Sequence, residues 1–209
     1  MFPDTSPRDV EGYKPVGEPN EQWKVGYGAG MYCDATAEPW SKNFNMYTYI
    51  TKELPEVVEK YFHVAKGVRS IVGHSMGGNG ALMIAARNPD AYRSVSAFAP
   101  ICNTSTGKSN FCNNAMQAYF ANDTEKAKTF DCSVVIKSAS KVPVGLVDFA
   151  THDEFGKDLM PHLLEEALGT SGHHKNFNVR WQDGYDHGFY FLQSFYEEHV
   201  AFHAHHLYK

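Results

Sequence analysis

The chain has 209 residues, of which 43% are hydrophobic and 21% charged, and it carries a net charge of −5. That balance suits one globular domain with a sizeable core, excludes a disordered chain, and argues against a general binder of nucleic acid or anionic membranes. No apolar run reaches the ~18 residues of a membrane-spanning helix, and the opening residues 1–8 lack the apolar stretch of a signal peptide.

Residues 3–30 are rich in Pro, Gly and polar side chains and read as a long irregular segment. Met46, Tyr49, Ile50, Leu54, Val57, Val58 and Tyr61 then recur at helical spacing, with Pro55 expected to kink the helix or mark a start. Residues 69–72 read as a strand, followed by a Gly-rich turn and a helix over 81–86 that Asn88-Pro89 stops. Residues 94–98 form the next predicted strand. The stretch 102–141 is polar and mixed, with one short helix expected over 114–120. A buried strand over 142–149, a helix over 159–168, an alternating strand over 177–181 and a closing helix over 189–208 complete the pattern. Strands alternating with helices predict an α/β protein with a mainly parallel sheet.

Cys33, Cys102, Cys112 and Cys132 form no CxxC pair and are widely spaced, which predicts reduced thiols in a cytoplasmic protein rather than a zinc site or disulfide scaffold. The glycosylation patterns at Asn103 and Asn122 read as polar loops only.

The chemistry centres on Gly73-His74-Ser75-Met76-Gly77, a G-x-S-x-G motif between a predicted strand and a predicted helix. So tight a turn strains the backbone of its central residue and tolerates only small neighbours, while the helix N-terminus beneath it favours developing negative charge. Gly78 and Gly80 let that helix approach the sheet. A serine nucleophile needs a histidine base, and the base needs an orienting acid. Asp153 follows one predicted strand and His187 another, in the chain order Ser–Asp–His. Asp148 is the second candidate acid. His152, Asp158 and Asp186 are weaker candidates, with Asp186 expected to shape its loop, and His74 is expected to be structural rather than the base. His199, His203 and His206 share one helix face; without an accompanying carboxylate motif they read as a packed or surface face, not a metal site. Trp23, Trp40, Tyr47 and Tyr49 read as core or pocket wall, and Gly26–Gly30 lacks the preceding strand that a dinucleotide-binding turn requires.

These motifs resemble the S-formylglutathione hydrolase (esterase D) family. The resemblance is carried by Pro3-Asp4-Thr5-Ser6-Pro7-Arg8, by Gly28-Ala29-Gly30 with Tyr32 and Asp34-Ala35-Thr36, and by Gly73–Gly78. Residues 94–103 and Gly184-Tyr185-Asp186-His187 with Tyr190-Phe191 extend it over nearly the whole chain. It implies an α/β-hydrolase fold, helices on both faces of the sheet, and cleavage of S-formylglutathione to glutathione and formate in formaldehyde detoxification, with carboxylesterase activity on small acyl esters. It also implies Ser75, Asp153 and His187 as the catalytic residues, the Met76 N–H as an oxyanion-hole donor, and a small acyl pocket narrowed by Trp40 or Met76. No metal or organic cofactor is called for, the partner is a small-molecule substrate, and a homodimer is possible. The chain departs from the family's Asp-Gln-Gly run before the acid, reading Asp148-Phe149-Ala150-Thr151-His152. It also begins at a segment that the family places after several strands, so an N-terminally truncated hydrolase domain over 1–209 is expected, with an exposed sheet edge at residues 69–72 and one oxyanion donor fewer. The alternative is an inactive remnant of the fold that acts through binding or dimerisation.

Overall fold

The computed structural model describes residues 1–7, 25–28, 30–105 and 110–208, with Asn110 and Phe111 described by backbone alone. Arg8, Trp23, Ala29 and most of the irregular segment read over 3–30 lie outside the described residues. The chain divides into two compact units, residues 1–66 with 104–130 and residues 67–103 with 131–209.

The first unit holds α1 (Met46–Thr48), a π-helical turn (Tyr49–Glu53), α2 (Leu54–Tyr61), α4 (Asn110–Phe120) and α5 (Thr124–Lys128). The helix expected over 46–61 is present, and its irregularity, the π-helical turn Tyr49–Glu53, ends just before Pro55, the second residue of α2. Proline has no N–H for the preceding turn and widens or breaks it. Asp34 secures the entry to this helix, accepting hydrogen bonds from the Thr48 N–H at 2.9 Å and the Thr48 hydroxyl at 2.7 Å. The core of the unit is aromatic: Trp40 lies edge-on to Phe44 and against Tyr119, whose hydroxyl donates to the Val25 carbonyl at 2.5 Å.

The second unit is built on a four-stranded parallel sheet in the order β1 (Ile71–His74), β2 (Ser94–Phe98), β3 (Val144–Ala150), β4 (Phe177–Gln182). Between the strands run α3 (Met76–Arg87), α6 (Cys132–Ser138), α7 (Gly156–Leu159) and α8 (Pro161–Ser171), and α9 (Phe189–Leu207) closes the chain. All four predicted strands are present. β1 pairs only with β2 among the described residues, and Val72 on it is 46% exposed. The helix α3 packs on β1 and β2, while α9 packs on β2 and β3.

Two short helices, α5 and α6, lie in the stretch read as polar and mixed. Each starts at an aspartate that caps free N–H groups: Asp123 accepts from Lys126, and Asp131 from Ser133 and Val134. Those caps were the overlooked signal. The helix expected over 159–168 is interrupted at Met160, which takes a left-handed conformation (φ 49°) between α7 and α8.

Candidate active site

The site is assembled at the C-terminal ends of β1, β3 and β4, where parallel α/β sheets place their ligands. Ser75 follows β1 directly and caps α3, with φ 56° and ψ −116°, a conformation rarely held by a residue with a side chain. Three backbone hydrogen bonds hold it there. Its N–H donates to Phe98 at 3.0 Å, and its carbonyl accepts from Asn79 at 3.1 Å and Ile101 at 3.2 Å. The glycines of the motif are sterically required. A Cβ at position 73 would sit 1.9 Å from the Gly77 carbonyl oxygen, and one at 78 would sit 2.8 Å from Pro100 Cα. The Ser75 hydroxyl points to Met76 Sδ, 3.6 Å away, a weak acceptor that leaves it available. Met76 opens α3, so its N–H belongs to the helix end that has no intrahelical acceptor.

Asp153 lies in the loop after β3 and His187 in the loop after β4. His187 Nδ1 is 2.7 Å from Asp153 Oδ2, and the two side chains are 12% and 3% exposed. With Nδ1–H donating to the carboxylate, Nε2 is left with its lone pair, the tautomer a general base needs. The other Asp153 oxygen accepts the Phe155 N–H at 2.8 Å. Backbone bonds sew the two loops together: His152 N–H donates to the Tyr185 carbonyl at 2.9 Å and Thr151 N–H to that of Gln182 at 3.1 Å. The Thr151 hydroxyl accepts from the Gly184 N–H and donates to Asp183.

The structure places the weaker candidates elsewhere. Asp148 lies inside β3, fully buried, and bonds to Arg180, Gln182 and His199 rather than to His187. Asp158 is in α7, His152 contacts Thr151, and Asp186 shapes its loop by accepting the Gly188 N–H at 2.8 Å. His199 bonds to Asp148, and His203 bridges Ser94 and Ser96 on β2, so both turn toward the sheet. Trp40 belongs to the other unit, where it is a core residue only 5% exposed.

Sequence reasoning missed one neighbour. The His74 ring lies 4.5 Å from that of His187, and Phe155 stands edge-on to His187 at 5.0 Å. Burial, and secondarily the nearby His187, hold the His74 imidazole down at about pKa 4, so it is neutral under ordinary conditions.

The family model described as "Putative esterase" matches residues 2–204. The chain is similar to S-formylglutathione hydrolase of Mus musculus, 42% identical over 214 residues that cover 99% of this chain and 72% of that one. It is 40% identical to S-formylglutathione hydrolase of Paracoccus denitrificans over 204 residues, covering 98% and 70%. Among solved structures, an S-formylglutathione hydrolase from Agrobacterium tumefaciens superposes with a TM-score of 0.87 at 38% identity, covering 98% of this chain and 72% of that one.

Proposed function

The chain belongs to the S-formylglutathione hydrolase family of esterases, and on that premise we propose that it is a serine thioesterase converting S-formylglutathione and water to glutathione and formate. Ser75 Oγ attacks the formyl carbonyl carbon while His187 Nε2 takes the hydroxyl proton, and Asp153 holds the imidazole and offsets its new charge. The oxyanion forms at the N-terminus of α3, where the Met76 N–H donates to it. Collapse breaks the C–S bond, and His187 returns its proton to the departing sulfur. Water then attacks the formyl-serine with His187 as base, His187 returns that proton to Ser75, and formic acid leaves and ionises to formate.

The single observation that carries this reading is the 2.7 Å His187–Asp153 pair, set at the strand ends that also present the strained Ser75. An inactive remnant is not favoured, because the chain is about 40% identical to S-formylglutathione hydrolases over nearly its whole length. Activity toward short acyl esters, a homodimer, a role for Trp40 in substrate binding and a cytoplasmic location belong to the same proposal. Among the described residues no helix is long and apolar enough to cross a membrane.

The test is hydrolysis of S-formylglutathione, of longer acyl-glutathione thioesters and of p-nitrophenyl acetate by the purified chain. We expect kcat/KM to fall as the acyl group lengthens; a steady rise contradicts the small acyl pocket, and no turnover of any acyl thioester rejects the proposed reaction.

A further inference from the structure

A carboxylate inside a buried strand is costly unless it is neutralised and hydrogen-bonded. Asp148, 0% exposed, meets that condition fully. Its Oδ1 accepts from Arg180 Nε at 2.6 Å and from Gln182 Nε2 at 3.2 Å. Its Oδ2 accepts from Arg180 Nη2 at 2.6 Å and is 3.0 Å from His199 Nε2. Burial alone would raise the Asp148 pKa, but the hydrogen bonds from His199 and Arg180 outweigh it and hold the carboxyl below its usual range. Arg180 also bonds through Nη1 to Glu198, the neighbour of His199 on α9.

Such a buried ion pair is a weak source of stability beside well-packed apolar residues. Its placement suggests what else it does. Asp148 is on β3, which leads into the Asp153 loop. Arg180 is its register partner on β4, which leads into the His187 loop, and His199 is on α9, which leaves that loop. Three of the four elements that enter or leave the two loops, all but α7, are therefore tied through one carboxylate.

We propose that Asp148, Arg180 and His199 are positioning residues, a clamp beneath the site that fixes how far apart the Asp153 and His187 loops stand. The proposal rests on the reading of Asp153 and His187 as acid and base. A displacement of about 1 Å in a catalytic group can cost on the order of a hundredfold in rate, so a rigid tie between the supporting elements bears directly on turnover.

The test uses the whole chain and three variants: His199→Phe, Arg180→Lys and Glu198→Gln. His199→Phe keeps the ring stacked on Phe98, 3.8 Å away, and removes an imidazole whose Nδ1 is buried without a partner, so it should fold. Arg180→Lys keeps the charge but loses the bidentate fork. Glu198→Gln, at a side chain 55% exposed, is the mildest change.

For His199→Phe and Arg180→Lys we expect kcat on S-formylglutathione to fall about tenfold, with KM within about twofold of the parent. The downfield proton resonance of the His187 Nδ1–H bonded to Asp153 should broaden in both, and Glu198→Gln should show a smaller loss of the same kind. Parent values of kcat and an unaltered resonance in the variants that fold overturn the clamp. A parent chain that fails to turn over S-formylglutathione rejects the proposed substrate but not the clamp. The clamp is then judged by the rate of fluorophosphonate labelling at Ser75 and by the same resonance, with unchanged values in the variants overturning it.

Discussion

Two carboxylate–imidazole pairs stand close together in the second unit, and they differ in everything except their chemistry. Asp153 and His187 sit in loops at the strand ends, 2.7 Å apart, with the histidine partly exposed. Among the described residues Asp153 has no Arg or Lys partner, so its charge is directed at the imidazole. Asp148 and His199 sit in a strand and a helix, 3.0 Å apart, with side chains 0% and 1% exposed. Arg180 already neutralises Asp148, and the second nitrogen of His199 faces no partner and no solvent. A carboxylate–imidazole pair is reactive when its carboxylate is uncompensated and the far imidazole nitrogen can be reached. It holds structure together when both conditions fail.

The sharpest break of this comparison comes from matched substitutions. Ser75→Ala should abolish fluorophosphonate labelling and lower kcat by 10³-fold or more, roughly the loss on removing any member of such a triad. Labelling that persists undiminished rejects Ser75 as nucleophile. Asp153→Asn should cost on the order of 10⁴-fold in kcat, through loss of the tautomer and of charge compensation, with little change in Tm. Asp148→Asn should do the reverse, unfolding the protein about 1–3 kcal/mol more easily because Arg180 loses its buried carboxylate and keeps only the exposed Glu198, while costing far less in rate. Equal rate losses in the two variants, measured alongside chemical denaturation, would dissolve the distinction.

Acid should separate the two regions in a second way. Burial, then the neighbouring His199 and His206, push the His203 pKa down from 6.5 to about 4. Between these values the unfolded chain binds more protons than the folded one, so stability rises with pH across that window: it is fully present above 6.5 and lost progressively toward 4. Asp148, held below the ordinary 3.8, contributes stability that is present above 3.8 and lost only as pH falls further. His203→Gln, which can still bridge Ser94 and Ser96, should therefore flatten the fall in unfolding free energy between pH 6.5 and 4, by an amount on the order of 1–3 kcal/mol. It should leave the loss below pH 3.8 in place. An unchanged profile over the upper window would show that His203 is not buried neutral.

The smallest expected effect lies at His74. His74→Phe keeps a ring against His187 and removes a buried nitrogen without a partner, so kcat/KM should stay within about threefold of the parent. His74→Ala, which leaves His187 packed on one side only, should lose about tenfold. A larger loss from Phe than from Ala would point to a chemical rather than a packing role.

Much of this architecture was legible from residue order alone, because its signals are local. The β-prone stretch at 94–98, the alternation at 177–181, the Gly73–Gly78 turn and the placing of Asp153 and His187 after strands all follow from the chain's own periodicity and steric needs. A β-carbon at position 73 has nowhere to go whatever the rest of the protein does. The helices α5 and α6 were legible in principle, since their aspartate caps are also local, but short polar helices lack the periodic apolar face that announces longer ones.

What only the tertiary structure decided is which partners the polar groups choose. Asp148 and Asp153 are both aspartates near the end of one strand, and residue order left both open as the acid. Parallel pairing in one register sets Asp148 beside Arg180, and the packing of α9 brings His199 onto it, while the loop beyond carries Asp153 to His187. The same packing turned His199 and His203 toward β2 and β3, and His74 stands against the His187 imidazole. Hydrogen-bond partners of buried groups are separated by long stretches of chain, and only the closing of the sheet and the docking of α9 bring them within the few ångströms over which such bonds act.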